Sequence, residues 1–562
     1  MKKIFFVVIF LFFCLISFKI EAQTVGDKRS FFIDPVYDLN NREELSAVLI
    51  KTTPQLYFYV DESWWSFSPQ NEIFQILTFL GEDFEKKIYP DLTSAFGTEW
   101  IPGVDRDLKI TILIHPMRKD VSGYFSPKDE YSKLQVVNSN EREIIYLSSD
   151  HIKSSLARSF LAHEFVHLIT FNQKEKIYGV EEETWLNEAR AEYASTLLGY
   201  DDIYEGSNLQ KRVQIFSDDS FDSITEWQNT KYDYAAINLF TQYLVDHYGK
   251  EVLTNSLHSP KVGIDSLNYA LANRKISKTF SQIFVDWTIA SLINDCNFGS
   301  DYCYLNKNLK DFHVAPRVYF LPLSGKSTLN VTDVGKDWQG NWSKIIGGRG
   351  NIKFSFISGS SSSVKVPYLK QNRAGSYIVD FLKFDDNKKG EILIDNFGTE
   401  VVSLIIIPAF QNKVSGFTNS EPFYSFSWSA SVIETQEEKD LIDQLLERIE
   451  QLKAEIANIQ AKISAILGKN QTFCKKLENN LYPGMENSDE VRCLQSFLNS
   501  QGSEIYPEGL VTGNFGQLTQ KAVIRFQEKY ASEILTPLGL NQGTGIVAEK
   551  TRFKINEILA RS

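Results

Sequence analysis

The chain has 562 residues, of which 43% are hydrophobic and 23% are charged, and its net charge at pH 7 is −12. This length exceeds what one hydrophobic core organises, so we expect several folded units, and the ordinary composition excludes global disorder. The acidic balance makes nucleic acid an unfavourable partner.

The N-terminus has the pattern of a secretory signal peptide. Two lysines precede an apolar run over residues 4–16, and residues 21–23 offer a cleavage region. We therefore predict a signal peptide over residues 1–22 and a secreted, extracytoplasmic protein. The alternative is an uncleaved membrane anchor, although the run is short for a membrane span and Lys19 closes it.

Residues 23–320 are predicted to form an α+β domain. Short apolar alternations at 108–114 and 143–147 are typical of strands. From Ser154 to about Tyr248 the apolar pattern becomes helical. A mixed sheet followed by helices is typical of α+β catalytic domains.

Two histidines lie four positions apart in a strongly apolar segment of this domain. On a helix, His163 and His167 project from the same face, so both imidazoles can bind one metal ion. Glu164 follows the first histidine and can reach a metal-bound water without occupying a ligand position. A catalytic zinc ion has three protein ligands and one open position, so a third ligand is required.

The third ligand is expected 21 positions after His167, where Glu188 and Glu192 are again one helical turn apart. On a second helix that faces the first, Glu188 completes a His₂Glu set for one Zn²⁺ ion. Glu192 is then placed to accept a hydrogen bond from the free ring nitrogen of His163, which fixes the orientation of that ring.

The combined motif resembles that of the gluzincin metallopeptidases, the class that includes thermolysin. The resemblance extends over about residues 53–260 and is specific at 160–170 and 185–195. It implies a thermolysin-like fold and the activity of a zinc metallopeptidase. By this resemblance the zinc ligands are His163, His167 and Glu188. Glu164 is the general base, and Glu192 is the carboxylate that orients a ligand.

Members of this class carry a tyrosine or histidine on a later helix that stabilises the oxyanion of the tetrahedral intermediate. The segment 231–236 resembles the tyrosine-bearing segment. Tyr232 is the better candidate if Ala235-Ala236 corresponds to the Gly-Ala pair of the family, and Tyr234 is the alternative. Both tyrosines are otherwise explained as core residues.

The resemblance favours an endopeptidase over an aminopeptidase. Aminopeptidases of the class grip the substrate amine with a Gly-x-Met-Glu-Asn loop ahead of the zinc helix. Residues 138–143, where this loop is expected, lack that pattern. Residues 484–487 are similar to it, but they lie far beyond the zinc helix, so we interpret them as a coincidence.

Residues 321–433 are predicted to form a β-sandwich. Gly, Ser and Asn clusters separate short runs of β type, and the stretch 424–432 alternates strictly between apolar and polar residues. A packing or spacer module is the expected role.

Residues 434–469 are predicted to form a coiled coil or helical stalk. Apolar residues recur at alternating spacings of three and four, at Ile442, Leu445, Ile449, Leu452, Ile456, Ile459, Ile463 and Ile466. The first half of this stripe favours a parallel dimer, whereas the isoleucine-only second half favours an oligomer with more than two helices. We therefore expect a homo-oligomer whose number of subunits the sequence leaves undecided. The alternative is a long helix that folds back onto its own chain.

Residues 470–562 resemble the peptidoglycan-binding helical domain of bacterial wall enzymes. A helical pattern at 489–498 is followed by Gly-x-Phe-Gly-x-x-Thr, a turn that leads into a second helix with Thr519 near its start. The resemblance implies bacterial peptidoglycan as a partner and a location at the cell wall. A protein-docking module of the same fold is the alternative.

Four cysteines follow the predicted signal peptide as two local pairs, Cys296 with Cys303 and Cys474 with Cys493. Local pairs suit disulfide bonds in an oxidising compartment, and neither pair has the spacing of a zinc knuckle. Two pairs of free buried thiols are the alternative.

These observations together predict a secreted, wall-associated zinc endopeptidase that hydrolyses peptide bonds in proteins. Two other functions are consistent with the sequence. One is a hydrolase that cuts the peptide stems of peptidoglycan itself, and the other is a non-catalytic wall-binding surface protein.

Overall fold

The structure is a computed structural model that describes residues 23–323, 326–359, 363–433, 436–467 and 474–561. The predicted signal peptide therefore lies outside the described residues. Backbone contacts divide the chain into two units, Met1–Thr435 and Gln436–Ser562.

The first unit begins with a six-stranded mixed sheet. Its strands are β1 (Lys28–Phe32), β2 (Glu44–Thr52), β3 (Leu56–Asp61), β4 (Ile110–His115), β5 (Gly123–Phe125) and β6 (Ile144–Ser148). They are ordered β1-β2-β3-β4-β6-β5. The parallel strands β3, β4 and β6 are buried on both faces, which explains their continuous apolar runs. The strands predicted at 108–114 and 143–147 are confirmed as β4 and β6, and β5 forms one edge of the sheet.

Helices of the same unit pack against this sheet and against one another. They are α1 (Glu62–Phe67), α2 (Gln70–Asp83), α3 (Tyr89–Phe96), α4 (Ala157–Phe171), α5 (Thr184–Leu197), α6 (Asn208–Asp218), α7 (Lys231–Tyr248), α8 (Glu251–Leu257), α9 (Gly263–Asn273) and α10 (Phe280–Ile293). Side chains of the sheet such as Ile112 and Ile145 share one core with Leu161 and Phe165 of α4. The predicted change to helices after Ser154 is confirmed, and the layout is the expected mixed sheet followed by helices.

A second set of strands follows the helices. It comprises β7 (Arg317–Leu321), β8 (Thr328–Gly335), β9 (Ser343–Gly347), β10 (Gly350–Ser358), β11 (Val364–Lys365), β12 (Pro367–Asn372), β13 (Tyr377–Phe381), β14 (Lys389–Phe397), β15 (Val401–Ile406), β16 (Ala409–Phe410) and β17 (Tyr424–Ile433). The groups β13-β12-β15-β9-β7 and β14-β10-β17-β8 are linked by one parallel bridge between Phe397 and Val401. Their inner faces share one core, which includes Ile345, Phe354 and Trp428. This β region is therefore layered, and it begins at Arg317, slightly ahead of the expected boundary.

The β region packs directly on the helical region and shares its hydrophobic core. Trp338 packs on Phe280 and Phe284, with ring centroids 4.9 and 5.4 Å apart. The indole N–H of Trp342 donates to the carbonyl of Thr288 at 2.8 Å. Residues expected as two domains, 23–320 and 321–433, thus form one packed body in which the β region has a packing role.

The second unit contains a long helix and a small helical module. Helix α11 (Gln436–Leu467) has 32 residues. The described stripe residues between Ile442 and Ile463 are each 40–55% exposed, so no part of the described chain covers them. Ile466 lies outside the side chains that the structure describes. The helix is present as predicted, whereas its pairing with a partner stays a prediction.

The C-terminal module (474–561) is built from α12 (Asp489–Ser500), α13 (Gln517–Lys529), α14 (Ala531–Ile534) and α15 (Glu549–Arg561) around a core of its own. The Ser488 side chain caps α12 by accepting from the Val491 N–H. In the predicted Gly-x-Phe-Gly turn only Gly513 has a positive φ, of 81°, whereas Gly516 precedes α13 with a φ of −90°.

The structure pairs Cys296 with Cys303 and Cys474 with Cys493 as disulfides. The first bridge follows α10, and the second ties α12 to the segment before it. Among the described residues no helix is both long enough and apolar enough to cross a membrane.

Candidate metal centre

Helices α4 and α5 bring the three predicted ligands together. Helix α4 is buried on nearly every side, and its Phe165 packs against Phe84 with ring centroids 5.0 Å apart. This packing fixes the face from which His163 and His167 project toward α5. Glu188 projects back from α5, and ligand atoms of the three side chains lie within 4.8 Å of one another.

The distances between these ligand atoms match the edges of a tetrahedral zinc site. The Nε2 atoms of His163 and His167 are 3.2 Å apart, and Glu188 Oε2 lies 3.1 and 3.6 Å from them. Zinc–ligand bonds of about 2.1 Å in a tetrahedron place the ligand atoms about 3.4 Å apart. Glu188 Oε2 is also buried without a hydrogen-bond partner among the described residues. The residues present therefore fit one zinc ion.

The outer nitrogens of both imidazoles face acceptors. His167 Nδ1 lies 3.1 Å from Asn187 Oδ1, and His163 Nδ1 lies 3.5 Å from Glu192 Oε1. An acceptor beside Nδ1 holds the ring proton there and leaves the lone pair of Nε2 directed at the shared site. Glu192 thus occupies the position predicted for it, while Asn187, directly before Glu188 in the sequence, was not anticipated.

Glu192 is itself held by three side chains that the sequence analysis missed. Arg212 on α6 donates from Nε and Nη2 to its two oxygens at 2.7 and 2.6 Å. The amides of Asn208 and Asn238 donate to Oε2 at 3.1 and 3.2 Å. Burial alone would raise the pKa of Glu192, but the Arg212 charge and hydrogen bonds outweigh it and lower that pKa. Glu192 therefore stays ionised.

Glu164 lies beside the ligand set and is buried. Its burial raises the pKa of the carboxyl above the ordinary value, against the opposing effect of the two neighbouring histidines. A raised pKa brings a carboxylate closer to the operating range of a general base. Gly123 of β5 allows the close approach of this side chain, because a Cβ at that position would lie 3.1 Å from Glu164 Cγ.

The ligand set opens into a cleft of about 780 Å³. The edge strand β5 lines one wall, and the start of α7 lines another. The capping box of Thr230 and Asp233 fixes that start. Tyr234 lines the cleft, with its ring 6.3 Å from that of His163.

The preference for Tyr232 over Tyr234 is not supported by this geometry. Tyr232 is absent from the residues that line the cleft, and its ring instead contacts the ammonium group of Lys231 at 4.9 Å. The Tyr234 hydroxyl donates to Asn229 Oδ1 at 3.0 Å, and Arg212 lies 4.9 Å from its ring centroid. Burial raises the pKa of Tyr234 well above the ordinary value, so its hydroxyl remains a donor. Tyr234 is thus the tyrosine beside the ligand set.

The C-terminal module contains a repeated polar scaffold. Gln495 donates from Nε2 to Asn514 O at 2.9 Å and to Thr519 Oγ1 at 2.9 Å, and its Oε1 accepts from the Gly513 N–H. Gln527, thirty-two positions later, makes the corresponding three contacts. Its Nε2 donates to Ile546 O at 2.8 Å and to Thr551 Oγ1 at 2.9 Å, and its Oε1 accepts from the Gly545 N–H. The module is therefore a tandem repeat in which α13 belongs to both halves.

A comparison with known protein families bears on this module. Residues 487–532 match the family of putative peptidoglycan-binding domains. The match covers α12 and α13, and the second half of the repeat continues beyond it to α15. A shallow cavity of about 280 Å³ on this module is lined in part by Gly484, Met485 and Glu486.

The other comparisons leave the rest of the chain unassigned. No curated protein matches the sequence. The pre-peptidase C-terminal domain of collagenase from Bacillus anthracis is 9% identical, covers 21% of this chain and 96% of its own length, and has a TM-score of 0.15. The periplasmic lysozyme inhibitor PliG from Aeromonas hydrophila is 10% identical, covers 21% of this chain and 98% of its own length, and has a TM-score of 0.14. A mitogen from Yersinia pseudotuberculosis is 15% identical, covers 20% of this chain and 89% of its own length, and has a TM-score of 0.13. TM-scores this low support no assignment of fold or function.

Proposed function

We propose that this protein is a zinc-dependent endopeptidase that acts at the bacterial cell wall. The observation that carries the proposal is the convergence of two histidine nitrogens and one carboxylate oxygen at tetrahedral distances, in a cleft that also contains a buried carboxylate. Such a set leaves one position open, as catalytic zinc sites require.

In this proposal each residue of the site has a separate role in peptide hydrolysis. A zinc ion bound by His163, His167 and Glu188 supplies Lewis-acid chemistry for peptide hydrolysis. Glu164 accepts a proton from the attacking water and passes it to the leaving amine. Tyr234 transfers its hydrogen bond from Asn229 Oδ1 to the oxygen that gains negative charge in the transition state.

The edge strand β5 suits an extended peptide substrate. It pairs with β6 on one side only, and its residues Gly123, Tyr124 and Phe125 line the cleft. An extended chain can pair with such an edge and present its peptide bond to the ligand set. This arrangement supports cleavage within a polypeptide.

The peptidoglycan-binding domain supports a location at the wall. Binding there raises the local concentration of the enzyme near wall-associated proteins without changing the chemistry of the cleft. The same domain also fits the two other functions, cleavage of peptidoglycan stems and wall binding without catalysis.

We also propose that α11 pairs with the same helix of a second copy. The exposed stripe alternates isoleucine and leucine over Ile442 to Leu452, a self-complementary pattern that a second identical helix covers best. Light scattering of the mature chain is expected to give more than one monomer mass. The Ile449→Lys variant is expected to have the mass of a monomer. A wild-type chain that itself has the mass of a monomer contradicts the pairing.

Substitution of Glu164 by Gln tests the catalytic proposal. The amide still forms hydrogen bonds but cannot accept a proton, so kcat on a soluble peptide is expected to fall by about 10²–10⁴-fold. Zinc content, measured by mass spectrometry, is expected to stay at the wild-type value.

Three outcomes separate the candidate functions. Casein-type proteolysis by the wild type, lost in Glu164→Gln, supports the endopeptidase. Release of amino groups from purified sacculi without proteolysis supports a stem hydrolase, and absence of both supports a non-catalytic wall-binding protein.

A further inference from the structure

The N-terminal loop between β1 and β2 brings a tyrosine into the cleft that the zinc motif does not contain. Tyr37 lines the cleft together with the ligand set. Its ring packs on Tyr124 of the edge strand β5, with ring centroids 4.7 Å apart. Tyr37 therefore extends the β5 wall, whereas Tyr234 comes from the wall formed by α7.

The loop that carries Tyr37 is held in one position by its own backbone contacts. The Tyr37 carbonyl accepts from the Arg118 N–H at 3.0 Å, and the Leu39 N–H donates to the carbonyl of Pro116 at 3.2 Å. The N–H of Asp34 donates to the Tyr124 hydroxyl at 3.1 Å. These bonds attach the loop to the segment that joins β4 and β5 and to β5 itself.

An ionic network, in which Asp38, His115 and Asp61 are buried, begins at the residue after Tyr37. Asp38 accepts from Arg42 Nη2 at 2.8 Å and lies 3.3 Å from His115 Nδ1, and Arg42 Nη1 reaches Asp61 at 2.6 Å. Burial raises the pKa of Asp38, but the His115 and Arg42 hydrogen bonds outweigh it and lower that pKa. Burying these charged groups is costly, and the network anchors Asp38 directly after the cleft residue Tyr37.

The electrostatics of Tyr37 agree with a position near the reacting groups. Burial raises its pKa, and the charges of Asp34, Glu164 and Glu188 raise it further. Glu164 and Glu188 also raise the pKa of Tyr234. The same two carboxylates therefore act on both tyrosines, and the raised pKa keeps each hydroxyl protonated as a hydrogen-bond donor.

We propose that the Tyr37 hydroxyl donates a hydrogen bond to the peptide group that is cleaved, from the wall formed by β5. Tyr37 is then a second catalytic tyrosine beside Tyr234. A rigid donor on each wall holds the reacting carbonyl group between them and strengthens its contact as charge develops on the oxygen. This inference rests on the proposed peptidase function.

Substitution of Tyr37 by Phe removes one oxygen and keeps the ring on Tyr124. We expect kcat on a soluble peptide to fall by about ten-fold or more, with KM and zinc content close to the wild type, because the contact strengthens in the transition state. Tyr37→Leu also removes the ring wall, so KM is expected to rise as well. The control is Tyr269→Phe, since Tyr269 is an exposed residue of α9 away from the cleft, and it should leave both constants unchanged.

The outcomes distinguish this inference from the function on which it rests. A zinc-replete Tyr37→Phe variant with kcat within two-fold of an active wild type overturns the role of Tyr37 and leaves the peptidase function intact. A KM increase without a kcat loss overturns the transition-state contact. A zinc-replete wild type that cleaves no peptide overturns the peptidase function, and the role of Tyr37 with it.

Discussion

The metal cleft and the C-terminal module differ in how their functions become visible. The reported family match lies outside the cleft, whose side chains converge on a geometry that only a few chemistries use. The module matches a family of peptidoglycan-binding domains over 487–532, yet its described cavity is shallow and holds no comparable cluster of reactive groups.

This difference shows that family resemblance and site geometry are separate kinds of evidence. A binding module is recognised by the pattern that builds its scaffold, such as the contacts of Gln495 and Thr519. A catalytic site depends on few side chains, so a widely diverged domain retains its chemistry after its overall sequence has lost any match. The predictions below test each side of this contrast.

The largest expected effect separates a ligand from the residue behind it. Glu188→Ala removes one of three ligands and should abolish zinc binding after dialysis. Glu192→Ala removes only the acceptor behind His163, so zinc affinity or activity should fall by about 10–100-fold. Mass spectrometry of the metal content distinguishes them, with Glu181→Ala in the cleft wall as a control. Equal zinc content in the wild type and Glu188→Ala would place the third ligand elsewhere.

The next effect tests whether the two regions act independently. A chain that ends near residue 433 keeps every proposed catalytic group and the hydrophobic cores of the first unit, so it should cleave a soluble peptide at the wild-type rate. A chain that ends at 320 lacks Trp338 and Trp342 and should fail to fold. Loss of peptidase activity in the 433 chain would show that the second unit contributes to the site.

Wall binding is the matching test for the other region. The fragment 470–562 contains the complete core of the module and should co-sediment with insoluble peptidoglycan without zinc. If it stays in the supernatant but captures a protein, the module is a docking domain.

The smallest expected effect concerns the repeat. Gln495→Ala and Gln527→Ala each leave several buried polar groups unpaired, so each should lower the free energy of unfolding of the module by about 1–3 kcal/mol. Urea denaturation of the fragment 470–562 measures this, and the exposed Gln517→Ala is the control. A loss confined to one of the two variants would contradict the equivalence of the halves.

The convergence of the three candidate ligands could be predicted from the sequence because their spacing is local. His163 and His167 are one turn apart on one helix, and Glu188 follows on the next. Arg212 could not be found in this way, since it reaches Glu192 from a third helix without a fixed spacing. Tyr37 gave no signal either, because only the fold brings the N-terminal loop to the cleft.

The tyrosine on α7 shows a different limit. Tyr232 and Tyr234 are two positions apart, so they point to nearly opposite sides of the helix and only one can face the cleft. The preference for Tyr232 depended on an assumed match of Ala235-Ala236 to a family pair. The position of the neighbouring helices decides which of the two tyrosines faces the cleft. The local sequence pattern does not show that position.

The shared core of the first unit left a signal that could have been used. The run from Leu404 to Ile407 is apolar without alternation, which is typical of a strand buried on both faces. Leu404 and Ile406 face the core within the β region, whereas Ile405 and Ile407 face the helical region. The boundary at 320 was placed by a change in composition, which does not show that two regions pack together.

One contact of the β region reaches back to the start of a ligand helix. The N–H of Gly416 donates to Glu183 at 2.6 Å, across 233 residues of sequence, and Glu183 directly precedes α5. During synthesis, the ribosome therefore completes the zinc motif long before the segment that braces it. The nascent chain has all three ligands in place in its sequence, but the support for the helix of Glu188 arrives only when the β region is nearly finished.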